Sequence, residues 1–217
     1  MVKAIFIDYT GTMVREDDPY SKELIGYILK NSDFKSPAEL LKTVWEQIKS
    51  AEAESVGVKF IKNIEKINKV IDYCKKNYGL KADENYIRDI WQKVWIKAPL
   101  YDDVKPFFDN SILPIYIISN DDMYYLEESM KEKNLNPTGI ISADMVKACK
   151  PHIQIFKKAL EVAGVEAQEA IFIGDSIISD IEPAKQIGMN PVLICRKEEE
   201  VHEDICCIKT LDELVLE

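Results

Sequence analysis

Four short stretches carry the residues that could do chemistry. Ala4-Ile-Phe-Ile-Asp8-Tyr-Thr10-Gly11-Thr12 is an apolar run that stops on a carboxylate and a Thr-Gly-Thr turn. A second apolar run, Ile112 to Ile118, ends in Ser119-Asn120-Asp121. Lys150-Pro151 stands at the head of a helical pattern, and Ala170 to Ile173 runs into Gly174-Asp175-Ser176, with Asp180 shortly after. Continuous β-branched and aromatic runs bounded by turn signals read as buried parallel strands. Open α/β sheets take their ligands beyond the carboxyl ends of such strands. In one sheet, then, Asp8, Ser119 and Asp175 share an edge. Two carboxylates meeting there repel and raise a pKa. Magnesium removes that conflict and prefers carboxylate, carbonyl and water oxygens. A serine hydroxyl and a lysine ammonium suit the oxygens of a phosphate. Each residue also has a plain alternative: Asp8 as a turn cap, Ser119 as a turn residue, Lys150 as a surface lysine, Asp180 as a helix-start acid. Taken singly they stay open; together, in this order, they make coincidence a poor explanation.

Positioning these stretches requires a specific set of elements. Strand and helix patterns alternate after Pro99: a helix from about Tyr101 to Phe108, the strand ending at Ser119, a helix from Met123 to Lys133 and a short strand from Gly139 to Ser142. A helix from Pro151 to Ala163, the strand before Gly174, a helix from Ile181 to Ile187, a strand from Pro191 to Cys195 and a short helix from Leu211 to Leu216 follow. This alternation predicts βαβ units and a parallel sheet. Between Ser21 and Ala98 the apolar residues instead recur at helical spacing, as in Leu40, Leu41, Val44, Trp45 and Ile48, which predicts about four helices and no strand. Ser36-Pro37 reads as an N-cap and first helical residue, and Asn77-Tyr78-Gly79 as a helix end. The fold expected is α/β: a three-layer, Rossmann-like parallel sheet core (1–15 and 98–217) with an inserted helical cap (16–97). Two connections, near Val14–Asp18 and Lys97–Tyr101, would form a double hinge. The Trp, Ile and Leu stripes of the cap are expected to be its core, and the run Arg196 to Asp204 a solvated loop.

The 217 residues suffice for one large domain or a domain with an insert, and 47% hydrophobic content supports a sizeable core. A formal net charge of -10 argues against nucleic acid or an anionic membrane as partner. No apolar run approaches the roughly 18 residues of a membrane span. Five cysteines, an odd number without a C-x-x-C pair, and a chain that opens on a strand pattern fit a reduced, cytoplasmic protein. Oligomeric state is not legible, and the vicinal pair Cys206-Cys207 carries no signal.

The four stretches, read together, resemble the motifs of the haloacid dehalogenase superfamily, in the subfamily whose helical cap follows the first strand (the phosphoglycolate phosphatase-like branch). Asp8-Tyr-Thr10-Gly11-Thr12 is similar to the first motif, Ile117-Ile118-Ser119-Asn120 to the second and Lys150-Pro151-His-Ile-Gln-Ile-Phe156 to the third. Gly174-Asp175-Ser176 through Asp180 to Met189 follows the fourth closely. The resemblance covers residues 1 to 15 and about 98 to 195. It implies that Asp8 is a nucleophile forming an aspartyl phosphate. It implies magnesium held by Asp8, Asp175 and the Thr10 carbonyl, with Asp180 nearby orienting metal-bound water or Lys150. Ser119, the Asn120 N–H, Lys150 and the Gly11 turn would hold the oxygens of a small phosphorylated substrate.

Position 10 departs from the pattern. Most phosphatases of the superfamily carry a second Asp there as general acid and base, and Thr10 cannot take that role near neutral pH; such groups contribute about 10²–10⁴ in rate. The same segment resembles the phosphorylation motif of P-type ATPases. Three readings follow: a magnesium-dependent phosphatase for a good leaving group, or with the proton supplied elsewhere (His152 is one candidate); a weakly active or inactive relative that binds a phosphorylated ligand or partner; and a haloacid dehalogenase, although those lack the Gly-Asp-Ser opening of the fourth motif. Lys59, Lys62 and Arg88 are the cap cations considered for substrate contact, and Cys149 is considered for redox sensitivity.

Overall fold

Strand β1 (Ala4–Ile7) is buried along its whole length, with Ile5 and Ile7 in one apolar cluster and Ala4 and Phe6 in another. That two-sided burial is what a continuous apolar run demands of a central parallel strand. In the computed structural model, which describes residues 1–196 and 205–215, a helical segment follows β1. It contains α1 (Pro19–Lys30), α2 (Pro37–Glu54), α3 (Asn63–Tyr78) and α4 (Glu84–Lys97). The chain continues through α5 (Val104–Asn110), β2 (Ile115–Ser119), α6 (Met123–Lys133), β3 (Gly139–Ser142), α7 (Ala143–Val146) and α8 (Ile153–Ala163). It ends with β4 (Ala170–Gly174), α9 (Glu182–Gln186), β5 (Asn190–Ile194) and β6 (Cys207–Ile208). All six strands are parallel, in the order β3-β2-β1-β4-β5-β6. One face packs on Val104 of α5 and Leu126 and Met130 of α6. The other packs on Phe156 and Ala159 of α8 and Ala184 of α9. The result is the three-layer, Rossmann-like sheet core expected.

Several boundaries differ for local reasons. β2 begins at Ile115 rather than Ile112: Pro114 has no N–H to give a ladder, and Ile112 is 92% exposed. The helix expected from Ile181 starts earlier, as a π-turn over Ile177–Ile181 that leads into α9. The short α7 and β6, the latter containing Cys207, have no clear signal in the sequence. The terminal helix is a single 3₁₀ turn, Leu211–Glu213, with Leu216 outside the described residues. Most of the Arg196–Asp204 run also lies outside them, but Arg196 itself is no solvated loop residue. Its side chain is buried, pairs with Asp103 at 2.6 Å, donates to the Thr12 carbonyl at 2.8 Å and stacks over the Tyr101 ring.

Helices α1–α4 have their own apolar cluster, built around Leu40, Ile67, Ile71, Ile87 and Ile90. Asp18 caps α1 and Ser36 caps α2, each with Pro at the first helical position, as N-cap chemistry favours. The two chain crossings into and out of this segment pair with each other: Arg15 N–H donates to Pro99 O at 2.8 Å and Tyr101 N–H to Met13 O at 3.0 Å. A third tie joins the α2–α3 connection to the loop before α8. There Gly57 N–H donates to Lys147 O at 2.7 Å and Cys149 N–H to Ser55 O at 2.9 Å. Among the described residues no helix is long and apolar enough to cross a membrane.

Arg196 stitches the loop after β1 to the chain after β5, and removing one partner of a buried ion pair typically costs about 3–5 kcal/mol. Arg196→Met is expected to lower the thermal unfolding midpoint by several degrees, and an unchanged midpoint would assign the pair no structural weight.

Candidate active site

Asp8 continues β1 by one residue. Its N–H donates to the Ile173 carbonyl on β4 at 2.8 Å, which fixes its side chain on the carboxyl edge. There it meets Lys150, whose ammonium lies 2.5 Å from Asp8 Oδ1 and 2.5 Å from Asp180 Oδ1. Lys150 is 3% exposed. Burial alone disfavours an ammonium, but Asp180 and Asp8 outweigh it and hold Lys150 above its ordinary pKa. The Asn120 amide clamps the Lys150 backbone, accepting from its N–H at 2.6 Å and donating to its carbonyl at 3.2 Å. Asp180 is turned back by the Ser176 N–H at 3.0 Å. Gly174 makes that turn possible, since a Cβ there would sit 2.6 Å from Asp180 Cβ, Cγ and Oδ2. Gly11 does the same for Asp175: its φ is +85°, and a Cβ would come within 2.3 Å of Asp175 Oδ2.

The carboxylate oxygens of Asp8, Asp175 and Asp180 lie within 4.8 Å of one another. Fully ionised, the three carboxylates against one ammonium would leave two negative charges unmatched at the cluster. Asp175 is open to solvent at the cavity mouth, yet the surrounding protein, then repulsion from Asp8 and Asp180, holds it above the ordinary carboxylate range. Burial holds Asp180 above it too, against the pull of Lys150. A charge deficit of two and an all-oxygen donor set fit a hard divalent cation such as magnesium. Asp8, Asp175 and Asp180 each offer an oxygen to such an ion, and Thr10 lines the same cavity.

The remaining expected residues arrive at the site with other engagements. The Ser119 hydroxyl donates to Asp121 Oδ2 at 3.1 Å, and the Gly11 N–H donates to Val14 O at 3.0 Å. His152 is turned away: its Nε2 lies 2.8 Å from the Ala53 carbonyl, and the residue does not line the cavity. Lys59 and Lys62 are exposed, and Arg88 is bound to Glu84, Asn68 and Asn85; none of the three reaches the cavity. Cys149 is fully buried and its thiol is pushed up by burial, the opposite of a reactive thiolate.

The cations that do reach the cavity from the helical segment are Lys49 and Lys66. Lys66 is buried and donates to the Asn120 carbonyl at 2.7 Å, with Glu52 at 3.4 Å. Burial opposes its charge, but Glu52 and further acidic neighbours outweigh that and hold its pKa up. Beside it, Asn63 Nδ2 donates to Asp121 Oδ1 at 2.8 Å, and the Asn63 N–H donates to Asp122 Oδ2 at 3.2 Å. The sequence did hold a signal: Lys66 falls inside the stripe Asn63, Ile67, Val70, Ile71, Cys74 that α3 buries. Lys49 Nζ reaches Ser179 Oγ at 3.4 Å. The cavity itself has a volume of about 940 Å³. Val44, Trp45, Ile48, Val94 and Trp95, expected as core, form part of its wall.

A parallel sheet with acids converging at its carboxyl edge beneath a helical insert defines a hydrolase of one family. The family model described as haloacid dehalogenase-like hydrolase matches residues 2–188, and the chain belongs to that family. A glyceraldehyde 3-phosphate phosphatase of Pyrococcus abyssi is 49% identical over 53 residues, which are 24% of this chain and 22% of that one. The match therefore spans about a fifth of that relative's length. Among solved structures, an L-2-haloacid dehalogenase is similar with a TM-score of 0.78 at 17% identity, over 98% of this chain and 97% of that one. An HAD phosphatase from Thermococcus onnurineus is similar with a TM-score of 0.66 at 20% identity, over 98% and 95%. At these identities the likeness is one of fold.

Carboxylates whose pKa is raised by folding keep protons that the unfolded chain has already lost above about pH 4. Stability of the metal-free protein should therefore fall as pH rises from about 4 to about 8, the range over which Asp180, at about 6, and then Asp175, at about 8, lose their protons in the folded state. Lys150 does not contribute in that window, because it is protonated in both states. Magnesium should reverse the trend, stabilising more at pH 8 than at pH 5. Unfolding midpoints with magnesium or EDTA across this range check it; an equal magnesium effect at both pH values would place the ion elsewhere.

Proposed function

We propose that this protein is a magnesium-dependent phosphatase of a phosphorylated metabolite, acting through an aspartyl phosphate on Asp8. The observation that carries the reading is the convergence of Asp8 and Asp175 on one edge, with Lys150 held between Asp8 and Asp180. In this reading residues 1–15 and 98–217 are the catalytic core and 16–97 a cap. Magnesium, held by Asp8, Asp175 and the Thr10 carbonyl, would offset the negative charge that otherwise repels a phosphate. Asp8 attacks phosphorus, and the electron pair of the breaking P–O bond leaves with the alcohol oxygen. Lys150 and the Asn120 N–H hold the phosphoryl oxygens, joined by the Ser119 hydroxyl once it turns from Asp121. Asp180 is a positioning residue: it keeps Lys150 against Asp8. Water then attacks phosphorus and releases the Asp8 carboxylate with inorganic phosphate. Relatives named as phosphatases support this reading over halide displacement, as does a cluster that, fully ionised, is two charges short of neutrality. The five free cysteines fit a reducing, cytoplasmic setting.

Thr10 favours a second reading, a relative that binds a phosphorylated ligand without turning it over. Beryllofluoride separates the two: an adduct at Asp8 supports the enzyme, while no adduct and no turnover across a phosphate panel supports the binder.

Hydrolysis of p-nitrophenyl phosphate is expected to require magnesium and to fall at least about 10³-fold in Asp8→Asn. Full activity in EDTA would reject the metal assignment. Thr10→Asp should speed hydrolysis of alkyl phosphates by up to about 10²–10⁴, whereas slowing of every substrate would show that the missing acid is not what limits the enzyme.

A further inference from the structure

We infer that the group esterified to the phosphate is apolar and aromatic, so that the substrate is an aryl phosphate rather than a sugar or triose phosphate; the inference rests on the phosphatase reading and names its substrate class. The cavity wall is the first observation. The chain has three tryptophans, Trp45, Trp91 and Trp95, and all three line the cavity that holds Asp8 and Lys150. Leu41 and Trp45 also line it, remain 41% and 36% exposed, and stand outside the apolar cluster that stabilises the helical segment. Large apolar side chains kept in contact with a cavity gain by covering an apolar ligand. The polar side chains that α3 contributes are already engaged: Lys66 holds the Asn120 carbonyl and Asn63 holds Asp121. Ser21, Lys49 and Glu52 also reach the wall, but Val44, Trp45, Ile48, Val94 and Trp95 give it an apolar face, against which a ring gains and a hydrated sugar loses.

Position 10 is the second, independent observation. A Thr there supplies no proton to the leaving oxygen near neutral pH. An alkoxide, a far stronger base than a phenolate, leaves poorly without a proton. A phenolate, whose conjugate acid has a pKa of about 10 as in tyrosine, does not need one. In balance, an Asp8 oxygen bonds to phosphorus as the P–O(aryl) bond breaks, and the electron pair departs on the aryloxide, which takes its proton from solvent. Water then bonds to the same phosphorus, Asp8 leaves as carboxylate, and the protons of that water go to solvent and phosphate.

Two measurements test this on the full chain. With magnesium, kcat/KM for 2-naphthyl phosphate should exceed that for glycerol 1-phosphate at least about 100-fold, and Trp45→Ala and Ile48→Asn should each narrow the ratio about five- to tenfold. Second, phenylphosphonate should change the tryptophan fluorescence with a Kd at least about tenfold below that of methylphosphonate, which carries the same charge without the ring. Equal kcat/KM for the two esters, a ratio indifferent to both wall variants, or equal phosphonate affinities would overturn the inference. Discrimination between the phosphonates with no hydrolysis of any ester would instead sink the phosphatase reading and leave the apolar occupant standing.

Discussion

Everything at the sheet edge depends on one buried ammonium. Lys150 sits between Asp8 and Asp180 at 2.5 Å from each, and without it three carboxylates would share a space less than 5 Å across. Burying an ion is costly unless it is paired and hydrogen-bonded, so Lys150 and its acids are mutually required. The surroundings serve that requirement. Asn120 grips the Lys150 backbone from β2, the Ser176 N–H orients Asp180 after β4, and Gly174 leaves room for the Asp180 side chain. Three strands thus constrain one cation, and the parallel register that aligns Ile7 with Ile117 and Ile173 is what lets them.

The helical segment contributes in two ways. Its polar contacts, from Lys66, Asn63 and Lys49, fall on the loops that follow β2 and β4. Its apolar contribution is larger and divides between two uses. Residues such as Leu40, Ile67 and Ile87 fill the segment's own core, while Leu41 and Trp45, close to Leu40 on the same helix, face open volume. One amphipathic helix therefore supplies both a packing face and a cavity wall.

The core was readable because its strands are continuous apolar runs that end on chemistry-bearing residues. β1, α6 and β3 match the expected spans at both ends, Asp8 and Asp175 meet as the strand ends imply, and Asp180 joins them. Periodicity states that a helix face is apolar, not whether it meets protein or empty space, so Val44, Ile48 and Trp95 read as core when they also form a wall. Lys66 and Arg196 were missed because a charged residue defaults to solvent until its partners are known. The partners here, Asn120 and Asp103, are remote in sequence. The His152 engagement is with a carbonyl remote in sequence, and that of Ser119, with Asp121 two residues on, turns on the choice of rotamer.

The tie between Ser55–Gly57 and Lys147–Cys149 has a mechanical corollary. It attaches the helical segment to the residue immediately before Lys150, through the Cys149 N–H and the Ser55 carbonyl. Lys66 attaches the same segment to the carbonyl of the residue that grips Lys150. An outward swing of the helices about the paired crossings at Arg15–Pro99 and Met13–Tyr101 would have to break both attachments. The helical segment is thus fastened to both sides of the lysine's mounting, so weakening either attachment reaches the charged centre without touching it.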